Sequence, residues 1–271
     1  MYVAIDVGGT KIRITAYTEL DPNTQTIEMK HDTTGDFDQD FQNILQTLSS
    51  LEDIQAIGIA IPGISINKDT GIVLAHNLPD WNNKNIKTAL SSVILQDKIF
   101  ISHDAVANAL GEMLFSKTGK AFVYITWGTG VGAAYITKYD SMLVTQQIEF
   151  GRQLVNGVPL ENLVGGVNFP KNFNNKTGSE LDNEDWKVLT ENFSTGLANL
   201  YALNYSPQII WGGGVAVKQF NRIPPIMEMA AKKYPYGNKI RYGVSSFGEW
   251  GGVVGALANI KYCLQSSQTH Q

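Results

Sequence analysis

Apolar residues fall in short runs along this chain, and the two most regular runs share one design. Val3-Ala4-Ile5-Asp6-Val7 leads into Gly8-Gly9-Thr10-Lys11, and Ile12-Arg13-Ile14 follows at once as a second strand. At a distance of 120 positions, Val123-Tyr124-Ile125-Thr126-Trp127 leads into Gly128-Thr129-Gly130, and Val131-Gly132-Ala133-Ala134 continues directly. Each segment predicts two strands joined by a glycine-rich turn. A third strand is expected near Thr24 to Met29, and Phe37, Phe41, Ile44, Leu45 and Leu48 mark one face of a helix. Ile54 to Ile61 reads as a buried strand ending at the turn signal Pro62-Gly63. Lys98 to Ser102 reads as another, running into His103-Asp104, and the small and apolar residues from Ala105 to Met113 describe the helix behind it.

The later part of the chain continues the alternation. Helices are predicted around Pro159 to Val164 and from about Asp182 to Tyr205, with the Asn-rich stretch Asn172 to Asn175 as a loop between them. Ser206-Pro207 breaks the longer helix, Gln208 to Trp211 forms a short strand ending in Gly212-Gly213-Gly214, and Gly251 to Ala258 opens a tightly packed helix. Strands alternating with helices define an α/β protein. The recurring glycine-turn hairpin points to two lobes of similar build with a cleft between them.

Composition narrows the partners. With 271 residues, 43% apolar and 17% charged, the chain can bury a substantial core as one large domain or two modest ones. A net charge of −4 lacks the basic footprint of a nucleic-acid binder, so small solutes are the expected ligands. Cys263 is the single cysteine, which excludes an intramolecular disulfide and a cysteine-cluster metal site. No secretion-type leader and no run of about 18 apolar residues occurs, so no membrane association and a cytoplasmic location are expected.

The glycine turns carry the candidate chemistry. Glycine lets main-chain N–H groups crowd around an anion, and two such turns suggest two jaws on one polyphosphate. Asp6 directly before the first turn can hold Mg²⁺ or its water shell, while Thr10, Lys11 and backbone donors can meet phosphate oxygens. Neither turn is a P-loop or a dinucleotide-binding fingerprint, since no Gly-x-x-x-x-Gly-Lys-[Ser/Thr] occurs and neither leads into a helix. Asp104 at a helix start is either a plain cap or, at the carboxyl end of a strand, a carboxylate placed to take a proton from a substrate hydroxyl. His31, His76, His103 and His270 make no metal-binding spacing. The five tryptophans read as core, although Trp81 follows the polar segment Asn77-Leu78-Pro79-Asp80 that could line a sugar site.

Taken in order, Asp6-x-Gly8-Gly9-Thr10-Lys11, Gly58-x-x-x-Pro62-Gly63, Asn77-Leu78-x-x-Trp81, Asp104-Ala105-x-Ala107-Asn108-Ala109-x-Gly111-Glu112, Gly128-Thr129-Gly130-x-Gly132, Glu149-x-Gly151, Leu160-Glu161, Gly212-Gly213-Gly214 and Gly255-Ala256 resemble the ROK family of bacterial sugar kinases and sugar-responsive repressors. The resemblance implies the actin-like, hexokinase-type (ribonuclease H-like) α/β fold. Residues 1–115, joined by a C-terminal helix of about 256–271, would form the first lobe and 116–255 the second. It also implies ATP with Mg²⁺, phosphate contacts from Asp6, Gly8, Gly9, Thr10, Lys11, Gly128, Thr129, Gly130 and Gly132, and an adenosine platform at Gly212, Gly213 and Gly214. Asp104 would be the general base, with Gly63, Asn77, Glu149 and Glu161 among the sugar contacts.

Three departures bear on the substrate. His103 stands where the family has Asn, Arg152 stands where it has His, and the span from Gly151 to Leu160 is too short and cysteine-free for the family's zinc loop. No structural zinc is therefore expected, and Val155 to Pro159 would have to hold the Glu161 helix by packing. His103 and Arg152 enter the sugar site as changed contacts, Arg152 having a surface ion pair as its bland alternative. The leading expectation is an ATP-dependent kinase acting on the 6-OH of a hexose or hexose derivative, its lobes closing to exclude water. The alternative is a sugar-binding sensor without turnover and without its own DNA-binding segment. A homodimer stands as one option for assembly.

Overall fold

The computed structural model describes residues 1–63, 65–75, 78–140, 142–203, 208–234 and 240–268. The chain divides into two compact units, Met1–Lys117 with Trp250–Gln271, and Thr118–Glu249.

In the first unit β1 (Tyr2–Val7), β2 (Lys11–Tyr17) and β3 (Gln25–Asp32) form an antiparallel meander. Helix α1 (Phe37–Ser49) follows, capped by the Asp36 side chain accepting from the Gln39 N–H. Its buried face is Phe37, Phe41, Ile44 and Leu48, the periodicity expected of a helix lying on a sheet. Strand β4 (Ala56–Ile61) is buried at every position because it lies between β1 and β7, parallel to both. A small ribbon, β5 (Ser65–Ile66) and β6 (Val73–Leu74), and the short helix α2 (Ile86–Ala89) precede β7 (Ile99–His103) and helix α3 (Asp104–Phe115). The sheet order is β3-β2-β1-β4-β7. Trp81 is fully buried, packed against Phe37 and Phe41 with its indole N–H 3.4 Å from the Asp40 carboxylate. It belongs to the core of this unit, and the sugar-lining alternative is set aside.

The second unit repeats the plan. Strands β8 (Ala121–Trp127), β9 (Val131–Tyr139) and β10 (Met142–Ile148) form the meander. A hairpin of β11 (Leu154–Val155) and β12 (Val158–Pro159) then turns through Asn156 and Gly157, both at positive φ. Helices α4 (Leu160–Val164) and α5 (Phe169–Asn172) are short, so the stretch expected as a loop from Asn172 starts inside a helical turn. Asn174 and Asn175 do form a loop, at positive φ. Helix α6 (Asn183–Leu203), β13 (Gln208–Gly212), α7 (Gly214–Lys218), α8 (Ile223–Lys233) and β14 (Arg241–Val244) complete the unit. Its sheet order is β10-β9-β8-β13-β14, with β13 parallel to both β8 and β14. Order and strand sense thus match the first sheet position for position. The core is aromatic: Phe193 lies 4.7 Å from Trp127 and 5.1 Å from Trp211 between ring centres.

The last helix, α9 (Gly251–Gln268), packs on β1, β4, β7 and α3 of the first unit. Val253, Ala256, Leu257 and Ile260 are buried there with Ala4, Tyr17, Ala56, Ala60 and Ala107. The approach is close: a Cβ on Gly58 of β4 would lie 2.2 Å from the Ala256 carbonyl oxygen, and one on Gly255 would lie 2.4 Å from the Ala107 carbonyl carbon. Backbone cannot give way as a flexible side chain can. Gly58→Ala is therefore expected to lower unfolding free energy by about 1–3 kcal/mol or more, measured by urea denaturation. Unchanged stability would show that α9 can shift.

Candidate functional site

In the first unit the parallel strands β1, β4 and β7 end on one edge, and the chemistry-bearing residues collect there. Asp6 is the penultimate residue of β1, Gly63 follows β4, and His103-Asp104 joins β7 to α3. The first glycine turn closes β1 onto β2, its Gly8 N–H donating to the Lys11 carbonyl at 2.9 Å. Among the described residues nothing accepts from the N–H groups of Gly9 and Thr10, which are exposed. Lys11 is exposed as well and makes no ion pair with a described residue.

Asp104 is the first residue of α3, and the cap position falls to His103, whose Nδ1 lies 3.2 Å from the Ala105 N–H. Asp104 Oδ1 accepts from the same N–H at 2.6 Å and lies 3.1 Å from His103 Nδ1. Its Oδ2 has no partner among the described residues. Asn108 Nδ2 donates to the Asp104 carbonyl at 2.8 Å, fixing the first turn of the helix.

Asp6 is hemmed in. A Cβ on Gly252, in the first turn of α9, would fall 2.1 Å from the Asp6 carboxyl carbon, so a glycine is required for α9 to begin there. Arg13 lies opposite Asp6 in the hairpin register and is itself 5.6 Å from the Trp250 ring centre. Burial pushes the Asp6 carboxyl up to about 7, the charge of Asp104 adds to the rise, and the Arg13 guanidinium opposes it. No cluster of three or more ligating side chains exists among the described residues. Mg²⁺ is nonetheless commonly held by one or two carboxylates, water and phosphate oxygens, and the Asp6 carboxylate beside the first glycine turn suits that need.

In the second unit, the Gly128 N–H donates to the Gly130 carbonyl at 3.0 Å, and the N–H groups of Thr129 and Gly130 have no acceptor among the described residues. Gly212, Gly213 and Gly214 lie against the foot of this turn. Gly213 has φ 84°, and a Cβ there would sit 2.6 Å from the Trp127 carbonyl oxygen, so only glycine fits. Gly132 is the second residue of β9, one position after Val131, whose N–H donates to Glu161 Oε2 at 2.8 Å. Gly151 packs under Val131 and Glu161, which brings the Glu149–Arg152 turn to the same place. Glu149 is exposed and accepts from Gln147 Nε2 at 2.5 Å, while the exposed Arg152 forms no ion pair with a described residue. Val155 and Leu160 are buried in the unit's core, so the tight β11–β12 hairpin anchors the helix that carries Glu161.

Of the residues singled out in the sequence, Asp6, Gly8, Gly9, Thr10, Lys11, Gly63, His103 and Asp104 thus gather at one sheet edge. Gly128, Thr129, Gly130, Gly132, Glu149, Arg152, Glu161 and Gly212–Gly214 gather in the second unit. Asn77 lies outside the described residues. Arg13 and Gly252 were not singled out; register alone reveals the first, and the second needs the long-range contact with α9.

Sheets of this order and sense, each with a glycine-turn hairpin at its heart, define an actin-like, hexokinase-type α/β protein. Solved structures share the fold. The ROK family glucokinase from Streptomyces griseus in complex with glucose and AMPPNP aligns with TM-score 0.78 and 21% identity over 94% of this chain and 97% of that one. A ROK family transcriptional regulator, a homolog of the E. coli MLC protein, aligns with TM-score 0.75 and 20% identity over 96% and 77%. The chain belongs to the ROK family, whose model matches residues 2–142. Among sequence relatives, an N-acetyl-D-glucosamine kinase of Yersinia pestis is 31% identical over 167 residues, 58% of this chain and 60% of that protein. An uncharacterized protein of Clostridium perfringens is 24% identical over 96% of this chain and 98% of its own length.

The raised Asp6 value carries a pH consequence. Between the ordinary value of 3.8 and about 7, the folded protein keeps a proton that the unfolded chain has lost, so Asp6 makes stability fall as pH rises through that window. Asp6→Asn should remove this dependence, so that its stability relative to wild type is higher at pH 8 than at pH 4 by on the order of a few kcal/mol. Urea denaturation across the window, compared between wild type and variant, reads it. Parallel pH profiles would refute the assignment.

Proposed function

We propose that the protein is an ATP-dependent sugar kinase that transfers the γ-phosphoryl group to a hexose or hexose-derivative hydroxyl, the 6-OH, with Asp104 as general base. The observation that carries the reading is the Asp104 carboxylate: Oδ1 is fixed by the Ala105 N–H, Oδ2 lacks a protein partner among the described residues, and Asp6 with the first glycine turn lies nearby on the same sheet edge. The relationship to an N-acetyl-D-glucosamine kinase and the shared fold with a glucokinase bound to glucose and AMPPNP support a sugar and a nucleotide as the two substrates.

In this mechanism Oδ2 accepts the proton of the sugar hydroxyl as its oxygen attacks the γ-phosphorus. The bond from the γ-phosphorus to the bridging oxygen breaks, and ADP leaves. The N–H groups of Gly9 and Thr10 and the Lys11 ammonium meet phosphate oxygens, and those of Thr129 and Gly130 serve the same purpose in the second unit. Asp6 would hold Mg²⁺, directly or through water, and the ion would neutralise charge on the phosphates. Such positioning and charge neutralisation supply most of the catalysis in phosphoryl transfer. Glu149, Arg152, Glu161 and Gly63 are assigned to the sugar, and Gly212–Gly214 to the adenosine.

The fold is shared with a transcriptional regulator, which keeps a sensor without turnover as the second reading. ADP release from Mg-ATP in the presence of hexoses, amino sugars and N-acylated sugars separates the two and names the substrate class. Asp104→Asn should lower kcat by at least about 10²-fold with little change in sugar affinity. A variant with near-normal turnover would remove Asp104 from the role. Because Arg152 is exposed and without an ion pair among the described residues, Arg152→His is expected to change the preferred sugar in the same panel. An unchanged profile would assign the guanidinium to the surface.

A further inference from the structure

We infer that Thr33, outside every motif considered so far, is a positioning residue that ties back two carbonyls of the first glycine turn so that its Gly9 and Thr10 N–H groups can meet phosphate; this rests on the phosphate role proposed for that turn. A tight turn carries carbonyl oxygens as well as N–H groups, and a carbonyl facing the ligand would repel an anion. Here the carbonyls of Gly8 and Thr10 are occupied. The Thr33 hydroxyl donates to the Gly8 carbonyl at 2.7 Å, and the Thr33 N–H donates to the Thr10 carbonyl at 3.1 Å. The Lys11 carbonyl takes the Gly8 N–H, and the N–H groups of Gly9 and Thr10 have no partner among the described residues.

Thr33 can hold the turn because the chain after it is fixed to the core. Asp40 of α1 has no exposed surface. Its Oδ1 accepts from the Thr34 N–H and the Thr34 hydroxyl, both at 2.8 Å, and its Oδ2 accepts from the Gly35 N–H at 3.2 Å and the Trp81 indole at 3.4 Å. A buried carboxylate with four donors is a rigid anchor. The clamp therefore runs from the core through Thr34 to Thr33 and onto the turn.

The second glycine turn is held on the same principle by different means. The N–H groups of Gly166 and Val167 donate to the carbonyls of Gly128 and Thr129, at 2.9 and 3.0 Å. Both turns thus have two carbonyls drawn off by a neighbouring segment, but only the first depends on a side chain. That hydroxyl can be removed by substitution.

The test is calorimetric titration of the full chain with Mg-AMPPNP and, separately, with the sugar the wild type phosphorylates. Thr33→Val should weaken nucleotide binding about 3- to 10-fold, the range expected for one lost hydrogen bond in a turn left free to rotate its carbonyl. Thr33→Ser should restore binding to within about twofold of wild type, since its hydroxyl can make the same bond. Sugar affinity should stay unchanged in both. Thr33→Ala replaces the valine variant if the latter does not fold, with the same expectation. Wild-type nucleotide affinity in Thr33→Val, or an equal loss for sugar and nucleotide, would overturn the inference while leaving the phosphate reading intact. Failure of the wild type to bind Mg-AMPPNP at all would remove the phosphate reading and the inference with it.

Discussion

The first unit depends on how near a helix can come to a sheet. Helix α9 lies so close to β4 that a methyl group on Gly58 would meet the Ala256 carbonyl, and so close to α3 that Gly255 touches the Ala107 backbone. This contact bears on the place of Asp6 and Asp104. Asp6 is confined because the first turn of α9 begins against it at Gly252, and Asp104 opens α3, which packs along α9. The mutual repulsion of Asp6 and Asp104 follows from that packing and not from any local sequence preference.

The two sheets share one strand order, yet they carry different chemistry. The first sheet's hairpin has an acid before its turn and a lysine after it, with Asp104 beyond β7. At the corresponding places the second has Thr126 and Val131, and the Val131 N–H is already engaged by Glu161. Its turn offers main-chain donors and the Thr129 hydroxyl, with Gly213 bringing β13's end up against it. A duplicated backbone plan thus carries different side chains at its two turns, formal charges flanking the first and none directly flanking the second.

Much of this was legible in the chain. Strands β1, β2, β4, β7, β8, β9 and β13 and helices α1, α3, α4, α6 and α9 were readable because each buries a continuous run or one periodic face. Strand β3 runs on to Asp32 through Lys30 and His31, polar residues that carry no apolar signal. Strands β10 and β14 lie at a sheet edge, where one neighbour suffices and the apolar alternation fades: Met142 and Val144 are exposed. Helix α8 places Pro224 and Pro225 in its first turn, where proline is tolerated, although a proline pair reads as a break. At the site, Asp6 to Lys11 and His103-Asp104 are contiguous and could be seen. Arg13, Thr33 and Gly252 act through pairing register or contacts between distant segments, which no local pattern encodes. Trp81 reads as core and lies in the core, although its surroundings in sequence point the other way. Its neighbours are polar, but a buried carboxylate on a distant helix satisfies its indole N–H.

The first unit is assembled from both ends of the described chain, whereas the second is continuous from Thr118 to Glu249. During synthesis the sheet of the first unit therefore emerges with Ala4, Ala56 and Ala60 lacking the helix that covers them, and all of the second unit is translated before α9 appears. At ordinary elongation rates that interval is on the order of ten seconds. The nascent chain can complete the later unit before the earlier one, with the carboxylate pair assembled last, once Gly252 has reached Asp6.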